Sequence, residues 1–136
     1  VKIFPASLEK LYEMLQFICN RAEEYGFKKA DLGHIELAAE EALVNVIQHG
    51  YYGKNEGPIE IHCFRTENPG IKIVIKDHGL AFNPLDELRR VKEKGKKTEK
   101  GESLGGYGVL LIDQVMDEVN YEYVDGTNTL TLLKRK

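Results

Sequence analysis

His34, Ala38, Glu41, Asn45 and His49 recur at intervals of three and four residues, which puts them on one stripe of a helix. Within that stripe a carboxylate stands one turn before a carboxamide. The glutamate can take a proton from an attacking hydroxyl. The carboxamide oxygen of Asn45 is a hard neutral ligand of the kind Mg²⁺ accepts. The stripe borders an apolar face of Ile35, Ala39, Ala42 and Val46, so its polar groups lie at the rim of a core, where a cleft can open. The same spacing also describes a solvated helix face.

A second group follows an alternating apolar run. Asp77-His78-Gly79-Leu80-Ala81-Phe82 comes directly after Ile71, Ile73 and Ile75. An aspartate at a strand's end aims a carboxylate into a cleft and accepts a hydrogen bond from an exocyclic amine such as adenine N6. Gly79 lets backbone approach a flat ligand, although Asp and Gly also suit an ordinary turn. A third group, Gly105-Gly106-Tyr107-Gly108, opens a helix. Free N–H groups and the positive end of the helix dipole make such a place an anion site.

Two apparent motifs carry no chemistry. Gly101-Glu102-Ser103-Leu104-Gly105 has the letters of a nucleophile elbow, but a lysine-rich run precedes it where a strand is required, and all four histidines lie upstream. His62 and Cys63 are adjacent on a strand, point to opposite faces and lack paired zinc-ligand spacing. Cys19 and Cys63 sit in apolar patterns and read as buried free thiols of a reducing compartment.

The elements that would position these groups follow from periodicity. Leu8, Leu11, Leu15, Ile18 and Ala22 predict a helix from Ser7 as N-cap to Tyr25, stopped by Gly26. A second helix is expected from a cap at Asp31 to Gly50. Two strands, around Ile59–Cys63 and Ile71–Ile75, are joined through Asn68-Pro69-Gly70. The stretch from Asp77 to Gly108 reads as a long mobile loop, and its run from Arg89 to Lys100 carries seven basic and two acidic residues. A third helix spans about Gly106 to Asp117. Asp125-Gly126 then turns a hairpin between Val119–Val124 and Thr127–Leu133. This order predicts one α+β domain over residues 1–136, a two-layer sandwich with helices on one face of a mixed sheet.

With 136 residues, a hydrophobic fraction of 42%, a charged fraction of 30% and a net charge of −3, the chain has material for one core and no excess positive charge for nucleic acid. No apolar run is long enough to cross a bilayer, and no signal-peptide pattern opens the sequence. A cytoplasmic setting is expected.

Taken in order, Glu-x-x-x-Asn on a helix, Asp-x-Gly-x-x-Phe after a strand, and Gly-Gly-x-Gly into a helix resemble the GHKL ATP-binding superfamily (the Bergerat-type fold). The stretches Glu40–Tyr51, Asp77–Pro84, Gly105–Ile112 and Met116–Val119 are closest to the anti-sigma factor serine/threonine kinases of bacterial partner switching. The resemblance implies that Glu41 is the catalytic carboxylate, Asn45 the Mg²⁺ ligand and His49 a group near the phosphates. It implies that Asp77 reads adenine N6 above Gly79, and that Gly105, Gly106 and Gly108 line the phosphates of ATP or ADP. It places Thr129 on the last strand near the adenine and makes residues 85–104 a flexible ATP lid. Partners implied are an anti-sigma factor antagonist, as phosphorylation substrate, and an RNA polymerase sigma factor. A homodimer is implied, with no direct contact to nucleic acid or membrane. One departure bears on catalysis. Family members often carry an Arg before the glycine pair, where this chain has Ser103 and Leu104, leaving Lys97 or Lys100 to supply the charge. The alternative is a nucleotide-binding module that switches partners without phosphoryl transfer.

Overall fold

The computed structural model describes residues 1–51, 57–94 and 107–136. The chain opens with a short strand, β1 (Lys2–Pro5), then a 3-10 turn at Leu8–Lys10 and helix α1 (Leu11–Glu24). Ser7 caps this start, its hydroxyl accepting from the Glu9 N–H at 3.1 Å. Gly26 ends α1 at a φ of 96°, in the region where glycine alone is unstrained. Helix α2 (Lys29–Asn45) runs on into a π turn, Val46–Gly50. Strands β2 (Pro58–Thr66) and β3 (Gly70–Asp77) follow, then α3 (Pro84–Lys94), α4 (Tyr107–Val115), β4 (Glu118–Val124) and β5 (Thr127–Arg135).

The five strands lie in the order β1-β2-β3-β5-β4, and every neighbouring pair is antiparallel. The α+β sandwich holds, but the sheet is antiparallel rather than mixed. Two hairpins and an antiparallel β3–β5 seam leave no parallel pair. The β4–β5 turn has φ values of 53° at Asp125 and 76° at Gly126, the signs a type I′ turn demands. One sheet face carries Phe4, Ile59, Ile61, Ile71, Ile73, Ile75, Leu130 and Leu132 into the core. Against it pack Met14 and Ile18 of α1, Ile35, Ala39 and Leu43 of α2, and Ile112 of α4. Each of the larger side chains so buried, Ile, Leu, Met or Phe, contributes about 1.5–3 kcal/mol. Helix α2 lies between α1 and α4, with α3 on the far side of α4. The opposite sheet face carries Glu60, His62, Lys72, Lys76, Glu122 and Thr129, none of them buried.

Three elements differ from expectation. Strand β1 was not foreseen, because four residues with one buried side chain, Phe4, give too little pattern. Helix α2 starts at Lys29, with no side-chain cap, and Asp31 sits in its first turn, where a carboxylate still favours the dipole. Part of the expected loop is helix α3. The Asn83 side chain accepts from Leu85 N–H at 2.8 Å, Pro84 opens the first turn, and Leu88 and Val91 are buried one turn apart. The rest of the expected lid, residues 95–104, lies outside the described residues. Among the described residues no helix is long and apolar enough to cross a membrane.

Candidate nucleotide site

Asp77 is the last residue of β3 and is only 4% exposed. It lines a cleft with Ala42, Asn45 and Val46 from α2 and its π turn, Phe82 and Pro84 from the segment after β3, and Ile112, Tyr121, Asn128 and Leu130. Its walls are mostly apolar with a few convergent polar groups, the make-up of a ligand site.

The two hydrogen bonds found at the Asp77 carboxylate among the described residues both fall on Oδ1, from Gly79 N–H at 2.8 Å and Asn128 Nδ2 at 2.9 Å. Among these residues no buried side-chain oxygen lacks a partner, so Oδ2, on which no bond is found, keeps some exposure in the cleft that Asp77 lines. Burial raises the Asp77 carboxyl above the usual carboxylate range, opposed by these two donors and by His78.

The backbone around Asp77 is held from α2. The π turn closes with Tyr51 N–H donating to Val46 O at 3.1 Å, a widened turn of the kind often found at functional sites. It delivers Gly50 O to Leu80 N–H at 2.9 Å. A Cβ on Gly79 would lie 2.6 Å from the Gly50 carbonyl carbon, so Gly79 is required by this backbone crossing. The buried Tyr51 hydroxyl donates to Pro58 O at 2.9 Å and accepts from His78 N–H at 2.8 Å. One side chain thus ties the π turn to β2 and to the end of β3. Burial raises the Tyr51 phenol, and the nearby Asp77 charge adds to the shift.

Of the residues singled out from sequence, Asn45 and Asp77 line the cleft. Glu41 lies one turn before Asn45, half-buried, against the first turn of α4. A Cβ on Gly108 would stand 2.7 Å from its carboxyl carbon, so the absent side chain at Gly108 leaves room for the carboxylate. His49 stacks on Phe82 with ring centroids 4.8 Å apart and planes 11° from parallel. His34 is exposed, and Ala38 is fully buried, so the stripe is not polar throughout. Gly105 and Gly106, like Lys97, Lys100, Ser103 and Leu104, lie outside the described residues.

Thr129 is not brought to the site. It pairs with Lys76 and Glu122 on the opposite sheet face, and its neighbour Asn128, paired with Asp77, enters the cleft. Alternation along β5 carries the reason: Leu130 and Leu132 face the core, so Asn128 shares their face and Thr129 does not. Tyr121, two residues along β4 from Val119, is the other cleft-lining side chain not singled out from the sequence, and the same alternation marks it. Cys19 and Cys63 are free but only half-buried, with burial pushing their thiols up to about 11 and about 12. Both stay protonated, hence weak nucleophiles, at neutral pH.

The model for the histidine kinase-like ATPase domain matches residues 4–134, and the chain belongs to this family. Among its relatives are proteins named serine-protein kinases. It is 31% identical to the serine-protein kinase RsbW of Staphylococcus aureus, over 96% of this chain and 82% of that protein. It is 28% identical to the RsbW of Bacillus licheniformis, over 83% of this chain and 70% of that protein. In fold it is similar to the histidine kinase domain of a blue-light activated histidine kinase from Erythrobacter litoralis, with a TM-score of 0.56, 16% identity, and coverage of 92% of this chain and 60% of that one.

Proposed function

We propose that this chain is a Mg-ATP-dependent protein serine/threonine kinase and anti-sigma factor. Its substrate is an anti-sigma factor antagonist, and its second partner is an RNA polymerase sigma factor. The single observation that carries the nucleotide reading is the second carboxylate oxygen of buried Asp77, with no hydrogen bond found among the described residues, in a mostly apolar cleft, an acceptor matched to the amine of adenine. Ala42, Val46, Ile112 and Leu130 supply the apolar walls a base needs.

The donor set fits a metal held mainly by phosphate and water. Asn45 offers one carboxamide oxygen, and among the described residues no three His, Cys, Asp or Glu side chains gather into a metal cage. Asn45 would hold Mg²⁺ there, and the ion would supply neutralisation of phosphate charge. The first turn of α4 favours the same negative charge. Glu41 orients the attacking hydroxyl and accepts its proton as the serine or threonine oxygen bonds to the γ-phosphorus. The bond from that phosphorus to the β–γ bridging oxygen breaks, and ADP leaves. The phosphorylated antagonist gains about −1.5 to −2 charges, which breaks its complex with the kinase. Nucleotide state then biases the choice between partners. The setting proposed is cytoplasmic and the assembly a homodimer. The segment 85–104, helix α3 included, serves as the ATP lid.

The test mixes the chain with its antagonist and ATP labelled at the γ-phosphate. Label passes to a serine or threonine of the antagonist. Glu41→Ala lowers that rate by about 10²–10⁴-fold, the usual worth of a general base, and keeps ATP affinity. Transfer at the native rate by Glu41→Ala would remove the role assigned to that carboxylate.

A further inference from the structure

Asn128 has no hydrogen-bonding capacity left for a ligand. Its Nδ2 donates to Asp77 Oδ1 at 2.9 Å and to the Gly79 and Leu80 carbonyls, both at 3.2 Å. Its Oδ1 accepts from the Tyr121 hydroxyl and from Phe82 N–H at 3.4 Å. This network also fixes which way the amide points. Turned over, its oxygen would face three acceptors and its nitrogen would face the Phe82 donor. The amide therefore joins β4, β5, the end of β3 and the segment 79–82 in one closed set of bonds. Its neighbour Thr129, on the other face, takes no part.

We propose that Asn128 and Tyr121 form a clamp that holds Asp77 with Oδ2 toward the cleft, and that this clamp, without touching the nucleotide, sets the preference for a 6-amino purine over a 6-oxo purine. The proposal rests on the nucleotide reading above. A 6-amino group donates to a fixed carboxylate oxygen. A 6-oxo group sets an acceptor against it and is rejected, because a polar site refuses a ligand that leaves its groups unpaired. Released from Asn128, the carboxylate can rotate about its last bond, and the oxygen it presents is no longer fixed. Discrimination falls, chiefly through weaker binding of the amino purine. Asn128 and Tyr121 are positioning residues in this account.

The test compares dissociation constants of ATP and inosine triphosphate, which differ at position 6 and its neighbouring N1 proton and share everything else. Asn128→Val and Asn128→Thr have nearly the same shape, but only the threonine can donate to Asp77 Oδ1. Tyr121→Phe removes one hydroxyl and serves should the strand variants fail to fold. Expected are a native preference for ATP, a loss of at least tenfold in the ATP-to-inosine triphosphate ratio for Asn128→Val, a smaller loss for Tyr121→Phe, partial recovery in Asn128→Thr, and no change in Thr129→Val. A native ratio retained by Asn128→Val and Tyr121→Phe would overturn the clamp, and if Asp77→Ala still abolished ATP binding, the nucleotide site would stand without it. A native protein that binds neither nucleotide would end both.

Discussion

A buried carboxylate with one oxygen satisfied and the other facing a cavity has a cost that only a ligand repays. Burial raises the Asp77 carboxyl in the folded chain, so the folded state binds its proton more readily than the unfolded state does. The empty protein is therefore destabilised by this group above its folded pKa, and the burden lifts as pH falls through that value. Asp77→Asn keeps an acceptor for Gly79 N–H and Asn128 Nδ2 and removes the charge. At neutral pH the variant should melt higher than the native chain in the absence of nucleotide, and thermal melts across acid pH should show the two converge as Asp77 takes its proton. A variant that melts lower at neutral pH, by the same measurement, would contradict this reading of the site. Glu41 illustrates the complementary case. Its carboxylate is accommodated by a missing side chain at Gly108 and lies over the helix terminus that favours negative charge.

At the scale of elements, the site depends on how closely the π turn after α2 meets the end of β3. A methyl on Gly79 would run into the backbone of Gly50, whereas one on Gly50 would make only ordinary contacts, the nearest at 3.5 Å from Asp77. Gly79→Ala is expected to cost at least about 1–3 kcal/mol, as overpacking does, and to weaken ATP binding by displacing Asp77. Gly33→Ala, within α2 and with nothing within 4 Å of the new Cβ, is expected to stabilise by roughly 0.5–1 kcal/mol. Denaturant unfolding of the two variants checks both signs. The helical placing of Asn45, the strand-end placing of Asp77 and the Gly26 stop of α1 were legible because hydrophobic period and a capping glycine are local signals. Helix α3 was not, because Arg89, Arg90, Lys92 and Glu93 mask a short apolar stripe of Leu85, Leu88 and Val91. Asn128 was legible in principle from the alternation of Leu130 and Leu132. The family motif pointed instead to the threonine beside it, one residue along the strand and on the wrong face. The π turn and the Tyr51 crosslink come from tertiary pairing between α2, β2 and β3, which no local window contains.

At the scale of the molecule, the antiparallel sheet and its single helical layer leave the cleft lined by Asp77 at one end of β3, between α2, α4 and the β4–β5 hairpin. The basic run Arg89–Lys100 counterbalances a chain that is otherwise strongly acidic, and it adjoins the glycines expected to meet phosphate. That distribution suits a site for Mg-ATP. The central claim is that this cleft binds a nucleotide through Asp77. The most direct measurement is the melting temperature with ATP or ADP, with and without Mg²⁺, for the native chain and Asp77→Ala. At about 100 times its dissociation constant a ligand adds about 2.7 kcal/mol, a rise of several degrees for a domain this size. The account predicts that rise in the native chain and its loss in Asp77→Ala. A folded native chain whose melting does not move with either nucleotide, with no binding by calorimetry, would contradict the account.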